Sequence, residues 1–301
     1  MPIDLTRRAA APTHRIDSMK QTESEKPSTA ESRFRFGQNW RQFLDTVGER
    51  AINEAEASLR AALQVEDLHD KTFLDIGSGS GLFSLAAWRM GASVHSIDID
   101  DESVECTREL KRRYAADSAR WQVEFGSALD EDFLSSLDHF EVVYSWGVLH
   151  HTGEMWHAID NAIQRVAEKG QLFIAIYNDQ GPKSDRWTKV KRWYNRLPSG
   201  LRFVVLIPAF CRIWGPTMIR DLLRLRPMHT WLTYRSNRGM NAWYDFIDWV
   251  GGYPFDVAQP EEVFDFCRER GLHLTYLKTC GGGRACNEFV FVRESVKKTT
   301  S

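Results

Sequence analysis

The sequence has little of what marks secreted, zinc-binding or membrane-embedded chains. Its five cysteines are odd in number and none falls in a C-x-x-C pair. Neither a disulfide framework nor a zinc site is expected, and a reducing, cytoplasmic setting fits. The first residues lack the apolar core of a secretory signal. The longest conspicuous apolar run, FVVLIPAFC at 203–211, is nine residues with a proline inside, whereas a membrane span needs roughly twenty. Internal repeats are absent, and a net charge of −2 excludes a chain that is basic overall.

With 301 residues, 43% of them apolar, and eleven tryptophans, the chain suits one large α/β domain with an insertion or two small domains. Residues 1–32, rich in Ser, Thr, Pro and Ala without periodicity, read as a disordered tail. Over 33–70 a helical cap is expected, since Phe43, Val47, Ala51 and Ile52 recur near a helical spacing. Within it Phe34, Phe36 and Trp40 can pack on the sheet or fold over a ligand. Five strand-like runs follow: TFLDIG (72–77), SVHSIDI (93–99), WQVEFGS (121–127), FEVVYSW (140–146) and QLFIAIYN (171–178). Helical stretches separate them at Gly81–Met90, Glu102–Tyr114 and Met155–Glu168, with Gly170 where a glycine closes a helix.

Such alternation gives parallel pairing through right-handed crossovers, with both sheet faces covered. It lapses over 180–258. It resumes over 259–295 with a helix at Glu261–Arg270 and the strands LHLTYLKT (272–279) and EFVFVR (288–293) around a glycine-rich turn. Two strands this close form an antiparallel hairpin. Residues 296–301 read as a tail. The expected architecture is α/β: a Rossmann-like doubly wound sheet of about seven strands over 71–179 and 259–295. It is mostly parallel with a last antiparallel strand, and carries a helical lid insertion at 180–258.

In an open α/β sheet, ligands sit beyond the carboxyl ends of the strands at the switch point. There the first strand opens into Gly77-Ser78-Gly79-Ser80-Gly81. A dinucleotide fingerprint, G-x-G-x-x-G, would need glycine at 82, where this chain has leucine. Asp75 can meet an ammonium group or orient the loop, and Asp98 ends the second strand where it can hold ribose hydroxyls. The pattern D-x-G-x-G-x-G resembles the first motif of class I S-adenosylmethionine (SAM)-dependent methyltransferases. FEVVYSWGVLHHTG (140–153) looks like their fourth motif. The resemblance covers about 70–180 and 260–293, and small-molecule O-methyltransferases of the ubiquinone-biosynthesis type are the nearest groups.

That resemblance implies SAM as cofactor, bound by Asp75, Gly77, Ser78, Gly79 and Gly81, with Asp98 on the ribose and Ile99 on the adenine face. Ser127, where the family often has an acid, and the backbone of Ala128 would meet the adenine edge. Trp146 would wall the methionine end. His150 and His151 are candidate bases for an acceptor that must lose a proton; equally, one can cap the helix near Met155 and the other pack on the sheet. In the ubiquinone-type enzymes an acidic residue near His150 helps hold a divalent metal; with histidine there, no metal site is expected.

The insertion carries six of the eleven tryptophans, and from 180 to 240 thirteen Lys and Arg stand against two Asp. Three readings suit basic residues interleaved with aromatics. One is a pocket for a lipophilic acid or phenol, lined by Tyr177 and Trp243 with Arg235 or Arg238 on its anion. Another is an amphipathic surface on an anionic membrane. The third is an RNA surface, less favoured for want of a basic accessory domain. Asn178 and Asp179 can border the pocket or make a turn. The expectation is methyl transfer to an oxygen, phenolic hydroxyl or carboxyl, of a lipophilic small molecule. A wobble-uridine RNA methyltransferase and a non-catalytic SAM-binding membrane protein are the alternatives.

Overall fold

The protein is described by a computed structural model covering residues 47–234, 242–283 and 285–294. The tails 1–32 and 296–301, the cap residues Phe34, Phe36, Trp40 and Phe43, and Arg235 and Arg238 lie outside the described residues.

Helix α1 (Glu49–Leu63) buries Ile52, Ala55, Leu59, Ala62 and Leu63 along one side, as the helical spacing predicts. Four βα units and a fifth strand follow: β1 (Thr72–Ile76), α2 (Leu82–Arg89), β2 (Ser93–Asp98), α3 (Asp101–Ala115), β3 (Trp121–Phe125), α4 (Glu131–Ser136), β4 (Phe140–Trp146), α5 (Met155–Gln164) and β5 (Val166–Tyr177). The Asp100 carboxylate caps α3 by accepting from the amides of Glu102 (2.8 Å) and Ser103 (3.3 Å). After the insertion, α10 (Pro260–Arg268) leads into β6 (Leu272–Lys278) and β7 (Cys286–Arg293). The sheet runs β3-β2-β1-β4-β5-β7-β6. Strand β7 is antiparallel to both β5 and β6, so the one reversed strand is next to the edge and β6 runs with the first five. The chain reverses between β3 and β4 around β1, which puts the ends of β1, β2 and β4 at the switch point.

Two apolar layers cover the sheet, one built on α1, α2 and α3 and the other on α5 and α10. A third cluster lies within the insertion, where α6 (Pro182–Arg196), α7 (Phe203–Leu223), α8 (His229–Leu232) and α9 (Ala242–Gly251) gather Tyr194, Ala209, Trp214, Phe246 and Val250.

Two local expectations are corrected. Helix α5 ends at Gln164, not Glu168, and β5 begins at Val166, paired with Phe140 ahead of a register shift. Gly170 is therefore inside a strand and caps no helix. A Cβ there would stand 2.9 Å from the Ala167 carbonyl and 3.0 Å from that of Phe140; the glycine permits a close backbone approach. Likewise the nine-residue apolar run is only the start of α7, a helix of 21 residues that continues through Pro208 and Pro216. With a mean hydropathy of 1.3, α7 is long and apolar enough to cross a membrane by length and composition alone.

Candidate active site

The loop from β1 to α2 is built around two close approaches. Gly77 has φ +81°, and a Cβ there would lie 2.4 Å from the side chain of Val148; Gly81 has φ +79°, and its Cβ would meet the backbone of Thr107 at 3.0 Å. Only glycine relieves both the conformation and the contact. Val148 belongs to the segment following β4, so the glycine loop and the fourth-strand motif are pressed together.

The loop amides point inward. Gly77 and Ser78 donate to the Ile97 carbonyl (2.8 and 3.1 Å), and Gly81 donates to that of Ser78 (2.8 Å). Gly79 donates to the Asp98 carboxylate at 2.9 Å. A dinucleotide site offers such amides to pyrophosphate; here they are engaged, and a carboxylate occupies the place of the anion. These four amides are not on offer to a pyrophosphate, and a nucleoside joined to a cationic group suits the loop better. The other Asp98 oxygen accepts from the Asp100 amide at 2.9 Å. Each oxygen keeps a lone pair for a ribose hydroxyl. Beside it Ile99 is 41% exposed, an apolar side chain open to a flat ring. The Ser127 hydroxyl accepts from the Leu129 amide at 3.1 Å, leaving its proton to donate. The Ala128 carbonyl accepts from the Asn161 side-chain amide (3.1 Å) and so serves the fold. Trp146 stands exposed at the end of β4, its indole N–H 3.4 Å from Glu288 Oε1.

Asp75 differs from Asp98. It is 2% exposed and faces α2, because strand alternation turns it to the same side as Phe73. Ser84 donates to it at 2.5 Å, Ser84 and Ser96 share a hydrogen bond of 2.7 Å, and Trp121 Nε1 donates to Ser96 at 2.9 Å. Of the two readings of Asp75, its contacts serve loop and helix orientation. Burial pushes its carboxyl up to about 7, with Asp98 adding to the rise against the Ser84 hydrogen bond. Burial likewise carries Asp98 up to about 6 against its backbone hydrogen bonds.

After β4 a single 3-10 turn (Leu149–His151) sets the two histidines against Tyr177 at the end of β5. Ring centroids lie 4.2 Å apart for His150–Tyr177, 5.6 Å for His151–Tyr177 and 5.2 Å for Tyr177–Phe255. His150 is completely buried, and neither ring nitrogen has a hydrogen-bond partner among the described residues. Burial first, then His151 and Lys191, hold its pKa well below the usual value, so its imidazole is neutral. His151 pairs its Nδ1 with the Pro254 carbonyl at 2.6 Å. The nitrogen must donate there, so in the neutral ring the lone pair falls on Nε2. The insertion adds Lys191, fully buried, hydrogen-bonded to the Trp249 carbonyl, with Nζ 4.5 Å from the Trp249 ring and 4.6 Å from that of Phe255. Burial lowers its amine to about 7, against Asp248, which raises it.

Other candidates sit elsewhere. Asn178 takes a hydrogen bond from Asn287 (3.0 Å) and Asp179 accepts from the Gly181 amide (2.8 Å), a turn leading into α6. Trp243 lies on α9 with Phe246 (5.7 Å) and Phe210 (6.4 Å), in the insertion's own aromatic cluster. Lys191, Phe255 and Pro254 are not among the residues singled out from sequence. Lys191 shares a buried stripe of α6 with Ser184 and Tyr194, which its charge does not announce.

A methyltransferase-domain family model matches residues 42–243, more than half of the chain. The ubiquinone biosynthesis O-methyltransferase of Cereibacter sphaeroides is 27% identical over 183 residues, 60% of this chain and 68% of that one. The tRNA U34 carboxymethyltransferase of Pseudomonas savastanoi is 36% identical over 88 residues, and the match spans only 26% of its length. Among solved structures, magnesium protoporphyrin IX methyltransferase from Synechocystis shares the fold, with TM-score 0.50 and 14% identity over 85% of this chain and 94% of its own. A glycine loop whose amides are engaged within the protein, a carboxylate set for ribose and this family match agree: the chain belongs to the methyltransferase-domain family and is a class I SAM-dependent methyltransferase.

Proposed function

We propose that the enzyme transfers the methyl group of SAM to an oxygen, a phenolic hydroxyl or a carboxyl, of a lipophilic small molecule. The observation that carries this reading is the ring-lined cluster of His150, His151, Tyr177 and Phe255 at the ends of β4 and β5, closed by Lys191 and Trp249 from the insertion. When bound, SAM supplies an electrophilic methyl group on a sulfonium. The protein's share is to align the acceptor oxygen with that methyl and to keep water out. Aromatic walls do both, and each methylene of the acceptor that they bury contributes about 0.8 kcal/mol. Lys191, protonated, draws an oxyanion into this apolar setting. His151, with its lone pair on Nε2, takes the proton of a phenol; a carboxylate needs no base. The long match to an O-methyltransferase of ubiquinone biosynthesis supports the oxygen acceptor.

The test is transfer of label from methyl-tritiated SAM to prenylated phenols, long-chain fatty acids and bulk tRNA. Label in the organic extract is expected. Label in the RNA, or tight SAM binding with no labelled product, would overturn the proposal. Loss of activity in His151→Ala would identify a phenol, and retention a carboxyl.

A further inference from the structure

One face of the insertion has no part in the transfer chemistry. Helix α7 buries Ala209 and Trp214 against the insertion's own cluster. Val204, Ile207, Pro208, Cys211, Ile219 and Leu222 are exposed, and at about 3.6 residues per turn they fall within an arc of about 120° that Trp214 borders. Ile207, Ile219 and Leu222 are 59%, 61% and 62% exposed, and the strip continues into Leu223, Leu225 and Leu232 at 79%, 89% and 73%. Monomers rarely leave so continuous an apolar surface without a partner.

The charge beside this strip has one sign. Arg212 borders the strip, Arg220 and Arg224 stand farther round the helix and Arg226 follows it, all exposed. Between 199 and 232 the one acidic residue is Asp221, which is buried and accepts from the Thr230 amide (2.7 Å) and hydroxyl (2.9 Å). A second copy of this face would add more uncompensated positive charge, and an acidic protein would leave the leucines unmatched. An anionic bilayer surface answers both features, with acyl chains for the strip and phosphates for the arginines.

We propose that α7 and the residues to Leu232 form a docking face that lies in the plane of an anionic lipid bilayer, apolar strip inward. The helix does not cross the bilayer, because Phe210 packs on Phe246 of α9 and Trp214 on Trp231 of α8. This surface is independent of which acceptor is methylated.

The test is co-sedimentation of the full chain with vesicles of phosphatidylcholine alone and of phosphatidylcholine mixed with phosphatidylglycerol, followed by alkaline carbonate extraction. Binding to the mixed vesicles, about tenfold or more over phosphatidylcholine alone, weakened by salt and released by carbonate, is expected. The double variants Ile207→Asp/Leu222→Asp and Arg212→Glu/Arg226→Glu should each lose most of that binding while retaining SAM affinity, which shows that they fold. Four results would overturn the proposal. They are no vesicle binding by the wild type, binding unchanged in the variants, resistance to carbonate, and a dimer abolished by the same substitutions without lipid binding.

Discussion

Two carboxyls flank the glycine loop, and their surroundings give them different work. Asp98 is half-buried, takes two backbone amides and keeps lone pairs toward the open end of the sheet. Asp98→Ala is therefore expected to weaken SAM binding about tenfold or more, roughly the loss of two hydrogen bonds to a charged group, as read by calorimetric titration. Unchanged affinity would place the cofactor elsewhere. The histidines divide in the same way. His150 is neutral, enclosed and unpaired, so His150→Phe is expected to retain turnover. His151→Ala should lower kcat with little change in SAM affinity for an acceptor that loses a proton, and its pH–rate profile should lose the limb that reports the imidazole. Asp98 and the glycines could be read from the sequence because a strand end and a tight turn are local. Lys191 could not, because its meaning depends on Trp249 and Phe255 arriving from about sixty residues away.

At the scale of elements, legibility followed the apolar pattern and failed at junctions. Strand β4 was read with its observed bounds and β2 to within one residue, since continuous apolar runs between loops leave little choice. The passage from α5 to β5 was misread because Gly170 looks like a helix stop. The structure puts the positive φ on Lys169 (62°) and sets Gly170 against the Phe140 carbonyl. Gly170→Ala is thus expected to destabilise the fold by about 1–3 kcal/mol, lowering Tm by several degrees in a thermal melt, with SAM affinity unchanged. If Tm does not move, the neighbouring strand gives way more easily than the contact implies. In α7 the nine-residue run with a proline inside is part of a longer helix, whose partners fix its course and absorb the lost hydrogen bonds at Pro208 and Pro216. Exposure of the resulting strip is a tertiary fact, which no periodicity in the sequence announces.

For the whole molecule, the buried acids tie stability, pH and cofactor together. The Asp75 carboxyl, ordinarily near 4, is pushed up to about 7, chiefly by burial. Below about pH 4 both folded and unfolded chains hold this proton, and the contribution to stability is complete. Between about 4 and 7 the unfolded chain releases its proton while the folded one keeps it. Stability therefore falls across this window and levels off above it. The full cost of ionising such a group is on the order of 4 kcal/mol. Other groups titrate in the opposite sense, Glu141 and Asp160 among them, so the wild-type curve alone does not isolate the effect. The difference between wild type and Asp75→Asn does, because Asn cannot ionise. That difference is expected to favour the variant increasingly from pH 4 to pH 7 in urea titrations. SAM acts on the other carboxyl: a cationic cofactor bound at Asp98, whose own carboxyl burial carries up to about 6, favours its ionised form. Binding should then release protons between pH 5 and 7, tighten as pH rises, and show a calorimetric enthalpy that depends on the buffer's own ionisation heat. A buffer-independent enthalpy near pH 6 would mean that Asp98 does not change its protonation when SAM binds, and that the cofactor's charge lies too far from it to act on its carboxyl.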